Sequence, residues 1–220
     1  LIIYILHLEY IVKNDNLLAV KTETEFLMPR PSMKDQRREE ILDAFERSIG
    51  QVGLHGSSLE VIADEAGMQR SILRHYIGNR DEILEALAER VIARYRTETD
   101  ELLDYIPNVN QAQALVEILF DSSAATTAQG LAVGEAILTA SAEHTKIRKL
   151  FADWLDHFVT SLSGVLHQAH PNQPEDKCWT VAYGIASIYF SHDSMGPIGL
   201  PRKFDKAAQT SARLLAASLG

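Results

Sequence analysis

Residues 66–80, AGMQRSILRHYIGNR, hold three arginines and a histidine and no acid, in a chain of 220 residues whose formal net charge is −9. Guanidinium groups are permanent planar cations whose forked N–H donors match phosphate oxygens and the O6/N7 edge of guanine, and a glutamine amide matches adenine. Gathered on a stretch without acids, these groups suit a polyanion such as duplex DNA, which carries a negative charge every ~1.7 Å of its axis. The wider charge distribution agrees. Residues 1–29 carry two lysines against four acids (net −2), residues 30–80 eight basic against eight acidic (net 0), and residues 81–220 eleven against eighteen (net −7), which sums to −9.

Such groups need elements that turn them outward. From Lys34 onward the pattern is helical, and no stretch after residue 33 alternates strongly enough to be a strand, so the fold class is all-α. In 34–52 the residues Ile41, Leu42, Phe45, Ile49 and Val52 fall on one helical face, and Gly53 and Gly56 end the helix. Ser57 with Glu60 three residues on predicts a capping box for a short second helix that buries Leu59, Ile62, Ala63 and Ala66. Gly67 then closes that helix through a left-handed turn. A third helix turns Ile72, Leu73 and Ile77 inward, which leaves Gln69, Arg70, Ser71 and Arg74 outward; Asn79, with Glu82, caps a longer fourth helix along Ile83, Leu84, Leu87, Val91 and Tyr95.

Two short helices about a tight glycine turn, the second basic on its outer face, describe a helix-turn-helix. Base contacts are expected from Gln69, Arg70, Ser71 and Arg74, and phosphate contacts from His75, Tyr76 and Arg80. Ser57 or Ser58 could add a phosphate hydrogen bond, and Arg30 could enter a minor groove from the preceding arm.

The segment RREEILDAFERSIGQVGLHGSSLEVIADEAGMQRSILRHYIGNRDEILEAL, residues 37–87, resembles the DNA-binding domain of the tetracycline-repressor (TetR) family of bacterial transcription regulators. EEILDAF, SSLEVIADEAG, LRHY and NRDEIL carry the resemblance, in the right order and spacing. The chain departs from the common family pattern at Gln69 (often serine), Ser71 (often glycine or proline), Arg74 (often tyrosine) and Ile77 (often phenylalanine). The resemblance implies an amino-terminal three-helix DNA-binding domain over 34–80 and a helical effector-binding and dimerisation domain over 81–220, with 1–33 an extension or arm. It also implies a double-stranded DNA operator, an unknown small-molecule effector, a homodimer and repression as the default action, in the cytoplasm, with no membrane partner and no cofactor.

Further helices are expected at about 110–128, 130–142, 144–168, 175–192 and 204–219, broken by HPNQP at 170–174 and GPIGLP at 196–201. The last two are the candidates for pairing: Val181, Gly184, Ile185 and Ile188 on one, Phe204, Ala208, Ala212, Leu215 and Leu219 on the other. By the same resemblance the middle helices enclose an effector cavity, with Phe120, Phe151, Trp154, His157, Phe158 and Tyr183 as candidate lining; helical spacing alone makes most of these plain core.

Other chemistries lack their residues. The sequence has no HExxH, no Cys/His pairs at zinc spacing, no nucleophile elbow and no phosphate-binding glycine loop, so an enzyme is not expected and no metal site is assigned. His167 and His170 at i, i+3, with His144, His157, His192, Asp153 and Asp193, leave a metal-sensing regulator as an alternative, beside a helical interaction module without DNA. The single cysteine, Cys178, reads as a buried small hydrophobe. The apolar opening Leu1 to Leu6 is far short of the ~20 residues that span a bilayer. Residues 1–27 are expected to be an upstream extension or a loosely attached arm, since Met28 and Met33 stand just ahead of the first good helix.

Overall fold

The computed structural model describes residues 32–121 and 127–220, and these are helical apart from short connections. The order is α1 (Met33–Gly56), α2 (Leu59–Glu65), α3 (Arg70–Ile77), α4 (Arg80–Asp104), α5 (Gln111–Leu119), α6 (Ala128–Ala140), α7 (Thr145–Ala169), α8 (Glu175–Ser194), a single 3₁₀ turn (Gly196–Ile198) and α9 (Lys203–Ala217). The helix expected over 110–128 stops at Leu119, and Asp121 is already out of helical form. The proposed arm of 1–27 and Arg30 lie outside the described residues.

Local chemistry accounts for the helix ends. Ser32 caps α1 in a capping box with Asp35, and Asn79 does the same for α4 with Glu82, satisfying backbone N–H groups that a helix start leaves without partners. The cap of α2 is Ser58 and not Ser57: Ser58 Oγ accepts from the Val61 N–H at 3.3 Å. Gly67, at φ 62°, closes α2 in a Schellman turn, with Met68 N–H donating to the Ala63 carbonyl and Gly67 N–H to that of Asp64. Gly53, at φ 71°, kinks α1 just before its end.

One apolar core runs from Ile41 to Leu219. In the amino-terminal part α1, α2 and α3 pack on one another around Phe45, Ile62 and Leu73. Helix α4 then runs on into the carboxy-terminal bundle, where it lies against α7; α7 packs on α8, and α9 on α8 and α5. The two parts are also joined by α6 lying along α1, so closely that a Cβ on Gly50 would sit 3.0 Å from Gln129 Cγ. Polar links reinforce the junction. Arg90 of α4 reaches Glu39, Asp43 and Glu46 of α1, and Lys146 of α7 reaches Glu85 and Glu89 of α4. Burial opposes the Arg90 charge, yet Glu46, Asp43 and Glu39 hold its pKa above the ordinary arginine value.

Two apolar assignments are corrected. Val52 is exposed, because the kink at Gly53 ends the stripe that Ile41, Leu42, Phe45 and Ile49 complete. Ile72 is 44% exposed: only Leu73 and Ile77, four residues apart and so one above the other on the same face, point from α3 into the core. Burying Leu73 alone stabilises the domain by about 1.5–3 kcal/mol, which fixes the face that α3 shows to solvent.

Candidate nucleic-acid interface and interior cavity

Helix α3 begins at Gln69 in extended conformation, with no hydrogen bond from that side chain to the helix start. Because Leu73 and Ile77 hold the opposite face, Gln69, Arg70, Ser71, Ile72, Arg74 and His75 all project outward. Neither Arg70 nor Arg74 has an ion pair among the described residues, so their donors face solvent. Tyr76 is half-buried against the core with its ring edge-on to His75 at 5.3 Å between centroids. The sequence reading assigned Ile72 to the core; its spacing of three from Gln69, which puts the two on one face, was the signal for an apolar group in the exposed row.

Two expected phosphate ligands do other work. Ser57 is 0% exposed; its hydroxyl donates to the Gly53 carbonyl at 2.8 Å and accepts from Ser48 Oγ at 2.8 Å, which ties down the kink. The Arg80 guanidinium turns back on the α1–α2 connection, with Nη2 donating to the Leu54 carbonyl at 2.5 Å and Nε to that of Ser57 at 3.4 Å. Arg80 thereby satisfies carbonyls freed by the kink and holds α4 to the base of α2, leaving the outward charge to Arg70 and Arg74. Ser58 remains exposed at the start of α2.

The expected cavity residues divide. Phe151, Trp154 and Phe158 are core, joined with Phe190 and Tyr189 in a chain of ring contacts 5.3–6.3 Å between centroids. His157 sits at the surface with Nε2 2.9 Å from Asp100 Oδ1 of α4. Tyr183 is 50% exposed on the outer face of α8, stacked on Trp179 with ring planes 3° apart. Phe120 lines a cavity of about 220 Å³ bounded by the end of α5, the end of α8, the 3₁₀ turn and the start of α9. Its walls include Phe120, Tyr189, His192, Asp193, Leu200 and Asp205. Tyr189 and Asp205 escaped the sequence reading, and His192 and Asp193 entered it only within the metal-sensing alternative, because the four come together only when the GPIGLP break folds α9 back on α8.

Deeper in, Tyr95 Oη, Trp154 Nε1 and Glu98 Oε2 are buried without a hydrogen-bond partner among the described residues. Burial raises the Tyr95 pKa well beyond its usual range and pushes that of Glu98 up to about 8, so the Glu98 carboxyl keeps its proton at neutral pH. No group of three or more potential metal ligands occurs among the described residues, and no helix there is long and apolar enough to cross a membrane.

The predicted pairing residues also divide. Val181, Ile185, Ala212 and Leu219 are buried inside the single chain, and Gly184 is packed against Leu215, whose Cδ1 would lie 3.0 Å from an added Cβ. Ile188 and Ala208 are half-buried, and Phe204 is exposed. The apolar groups that α8 and α9 show to solvent are Trp179, Tyr183, Phe204 and Leu214.

A basic second helix of a helix-turn-helix, carried by a larger all-α bundle, defines a DNA-binding regulator. Comparison with known proteins supplies the family: the sequence profile of bacterial regulatory proteins, tetR family, matches residues 41–87. The chain is 25% identical over 167 residues to the HTH-type transcriptional regulator BetI of Escherichia coli O17:K52:H18 (strain UMN026 / ExPEC), covering 73% of this chain and 82% of the relative. BetI of Burkholderia cenocepacia (strain HI2424) is 38% identical over 65 residues, 30% of this chain and 34% of the relative. Among solved structures, a TetR transcription regulator from Haloarcula marismortui ATCC 43049 superposes with a TM-score of 0.69 at 15% identity, over 83% of this chain and 97% of that one. A protein from Saccharomonospora viridis solved in complex with choline superposes with a TM-score of 0.66 at 17% identity, over 81% and 94%. Residues 41–87 are thus a DNA-binding domain of the tetR family, the helix-turn-helix at the amino-terminal side of the chain, and a helical domain follows it.

Proposed function

We propose that this chain is a ligand-responsive repressor, with residues 34–80 as reading head and 81–220 as effector and pairing domain, acting in the cytoplasm as a homodimer without cofactor or catalytic activity. The observation that carries the reading is the row Gln69, Arg70, Ser71, Arg74 on α3, turned outward by the buried Leu73 and Ile77 and free of competing acids. Seated in a major groove, Arg70 and Arg74 take guanine edges or phosphates, Gln69 an adenine edge, and Ile72 a thymine methyl. His75, Tyr76 and Ser58 lie toward the backbone.

One such head covers too few base pairs for useful selectivity, and two heads about 34–36 Å apart read two half-sites. The exposed Trp179, Tyr183, Phe204 and Leu214 favour α8 and α9 as the pairing face, since large apolar groups left exposed on two packed helices seek a cover. Leu214→Glu is expected to convert dimer to monomer in sedimentation analysis and to weaken operator binding with it.

A small-molecule effector is supported by a fold neighbour that was solved in complex with choline. Here the effector would occupy the interior of the carboxy-terminal bundle and favour a dimer whose heads are mis-spaced. Only its differential affinity for the two states can release DNA, and operator must weaken effector binding by the same factor. The contact of α6 along α1 and the Arg90 knot are the connections through which such a shift would reach the head.

A mobility shift on the chain's own upstream region, across a salt series, tests the reading. Affinity is expected to fall linearly on a log-log plot as salt rises. No retardation at the lowest salt would reject the DNA-binding row and favour a protein-only adaptor.

A further inference from the structure

Apart from Leu73 and Ile77, helix α3 consists of three pairs of side chains four residues apart: Arg70 with Arg74, Ser71 with His75, and Ile72 with Tyr76. At ~3.6 residues per turn the arginines border one side of the buried stripe, Ile72 and Tyr76 border the other, and Ser71 and His75 stand between. The outward face therefore has a cationic edge and an apolar edge. Tyr76 is half-buried and packs on the core, whereas Ile72 is 44% exposed, the only isoleucine or leucine of α1–α4 left exposed among the described residues. A β-branched side chain favours a helix less than alanine does, and here it covers no core, so neither propensity nor packing accounts for it.

The chemistry of Ile72 narrows what it can meet. The arginine edge has no acid on α3 to compete with and complements the phosphate charge of a duplex, which sets the helix into the major groove. There Ile72 has no donor or acceptor with which to read a purine edge, and laid against one it would strip water from N7 or O6 and return no hydrogen bond. The C5-methyl of thymine is the one apolar substituent that the four bases present in that groove. Ile72 can cover it without leaving a polar atom dry.

We infer that Ile72 is a specificity-determining residue, and that each operator half-site carries a thymine selected by its C5-methyl and not by its hydrogen-bond pattern. This rests on the DNA-binding reading above, and adds to it the property by which the apolar edge of α3 selects a base.

A duplex enriched by the full chain from a randomised pool supplies the probe. In it each thymine is replaced in turn by deoxyuridine, which removes the methyl and keeps the base pairing. The parent protein is expected to lose about fourfold in affinity at one thymine of each half-site, the factor carried by one buried methyl, and about fifteenfold when both are replaced. Ile72→Ala should bind the thymine duplex more weakly and be indifferent to uracil at those positions. Ile72→Val should keep most of the uracil penalty, and Arg74→Ala all of it. Because Ile72 is exposed, Ile72→Ala should melt with the parent. A merely structural role for Ile72 would weaken binding and leave the uracil penalty in place. The inference is overturned if no thymine carries a penalty, or if the penalty persists in Ile72→Ala. Equal retardation of thymine and uracil duplexes thus rejects the methyl contact and leaves the DNA-binding reading standing, whereas a pool from which no duplex is enriched at low salt rejects both.

Discussion

The corner between α2 and α3 and the aromatic interior of α4, α7 and α8 are built on opposite principles. Around residues 57–82 the buried and capping polar groups are matched: Ser57 with Ser48 and Gly53, Asn79 with Glu82, Arg80 with the carbonyls of Leu54 and Ser57. In the interior, rings pack tightly yet Tyr95 Oη, Trp154 Nε1 and Glu98 Oε2 have no partner among the described residues, and a cavity opens nearby. A surface that reads a rigid duplex gains from having the helix that carries its donors fixed before contact, because ordering that backbone at contact costs affinity. A domain that answers to a ligand needs the reverse, an interior whose polar groups are better satisfied in one state than another.

The sharpest way to break this contrast is to cut into the support of the reading face. Leu73→Ala removes a fully buried side chain from a corner with little room to collapse, and is expected to cost about 2–5 kcal/mol in denaturant unfolding, with operator binding lost in step. Arg70→Ala and Arg74→Ala should show the opposite signature. Each is expected to cost about 1–3 kcal/mol of operator affinity, with a melting temperature within a degree or two of the parent, since neither side chain is held by the fold. If Arg74→Ala changes affinity equally for all sequences and lowers the salt slope, Arg74 is a phosphate ligand; relaxed selectivity at one base pair makes it a base reader.

The two serines at the start of α2 sharpen the comparison at smaller scale. Ser57→Ala deprives the buried Ser48 hydroxyl of its acceptor and the Gly53 carbonyl of one of its two donors, at a cost of about 1–3 kcal/mol of stability, with operator affinity of the folded fraction unchanged. Ser58→Ala loses only the cap to Val61, about 1 kcal/mol, and because this hydroxyl is exposed it should also weaken DNA binding slightly. Thermal unfolding and mobility shifts on both variants check the assignment. Equal loss of DNA affinity in the two would contradict the burial of Ser57.

What the sequence made legible follows from the range of the signals. Gly67 and the Asn79–Glu82 box are set by neighbours within five residues, and both appear as read, as does the outward row of Arg70 and Arg74. The capping box read at Ser57 was misplaced, because Ser57 has the acid Glu60 three residues on whereas Ser58 has Val61, and only the kink at Gly53 decides which serine is buried and which caps α2. Ile72 was misplaced for a related reason: helical periodicity permits two adjacent inward residues, and only the packing of α3 on α1 and α2 selects Leu73. The cavity was out of reach. Asp193 and Asp205 are separated in sequence by a break, and nothing local shows that α9 returns across α8; Trp154 and Phe158, meanwhile, carry the same stripe whether they line a pocket or fill a core. The residues expected to pair were drawn from the apolar stripe of α8, which is consumed by α7 and α9, leaving Trp179 and Tyr183 outside.

The smallest expected effect has a definite sign and probes the interior directly. Glu98 holds its proton up to about pH 8 in the folded chain, chiefly because burial disfavours its charge. In the unfolded chain the same carboxyl releases its proton near pH ~4.3. Between these values the folded state binds more protons, so stability falls as pH rises through the window and the penalty is complete above about pH 8. Glu98→Gln removes the ionisable group while keeping its shape. It should therefore stabilise the chain at pH 8, by on the order of 1 kcal/mol because the side chain is only partly buried, and lose that advantage toward pH 4. A melting series of parent and variant from pH 4 to pH 8 reads the difference. Curves that stay parallel across the range would place the Glu98 carboxyl in water, and with it would go one of the three polar groups that distinguish the interior from the reading head.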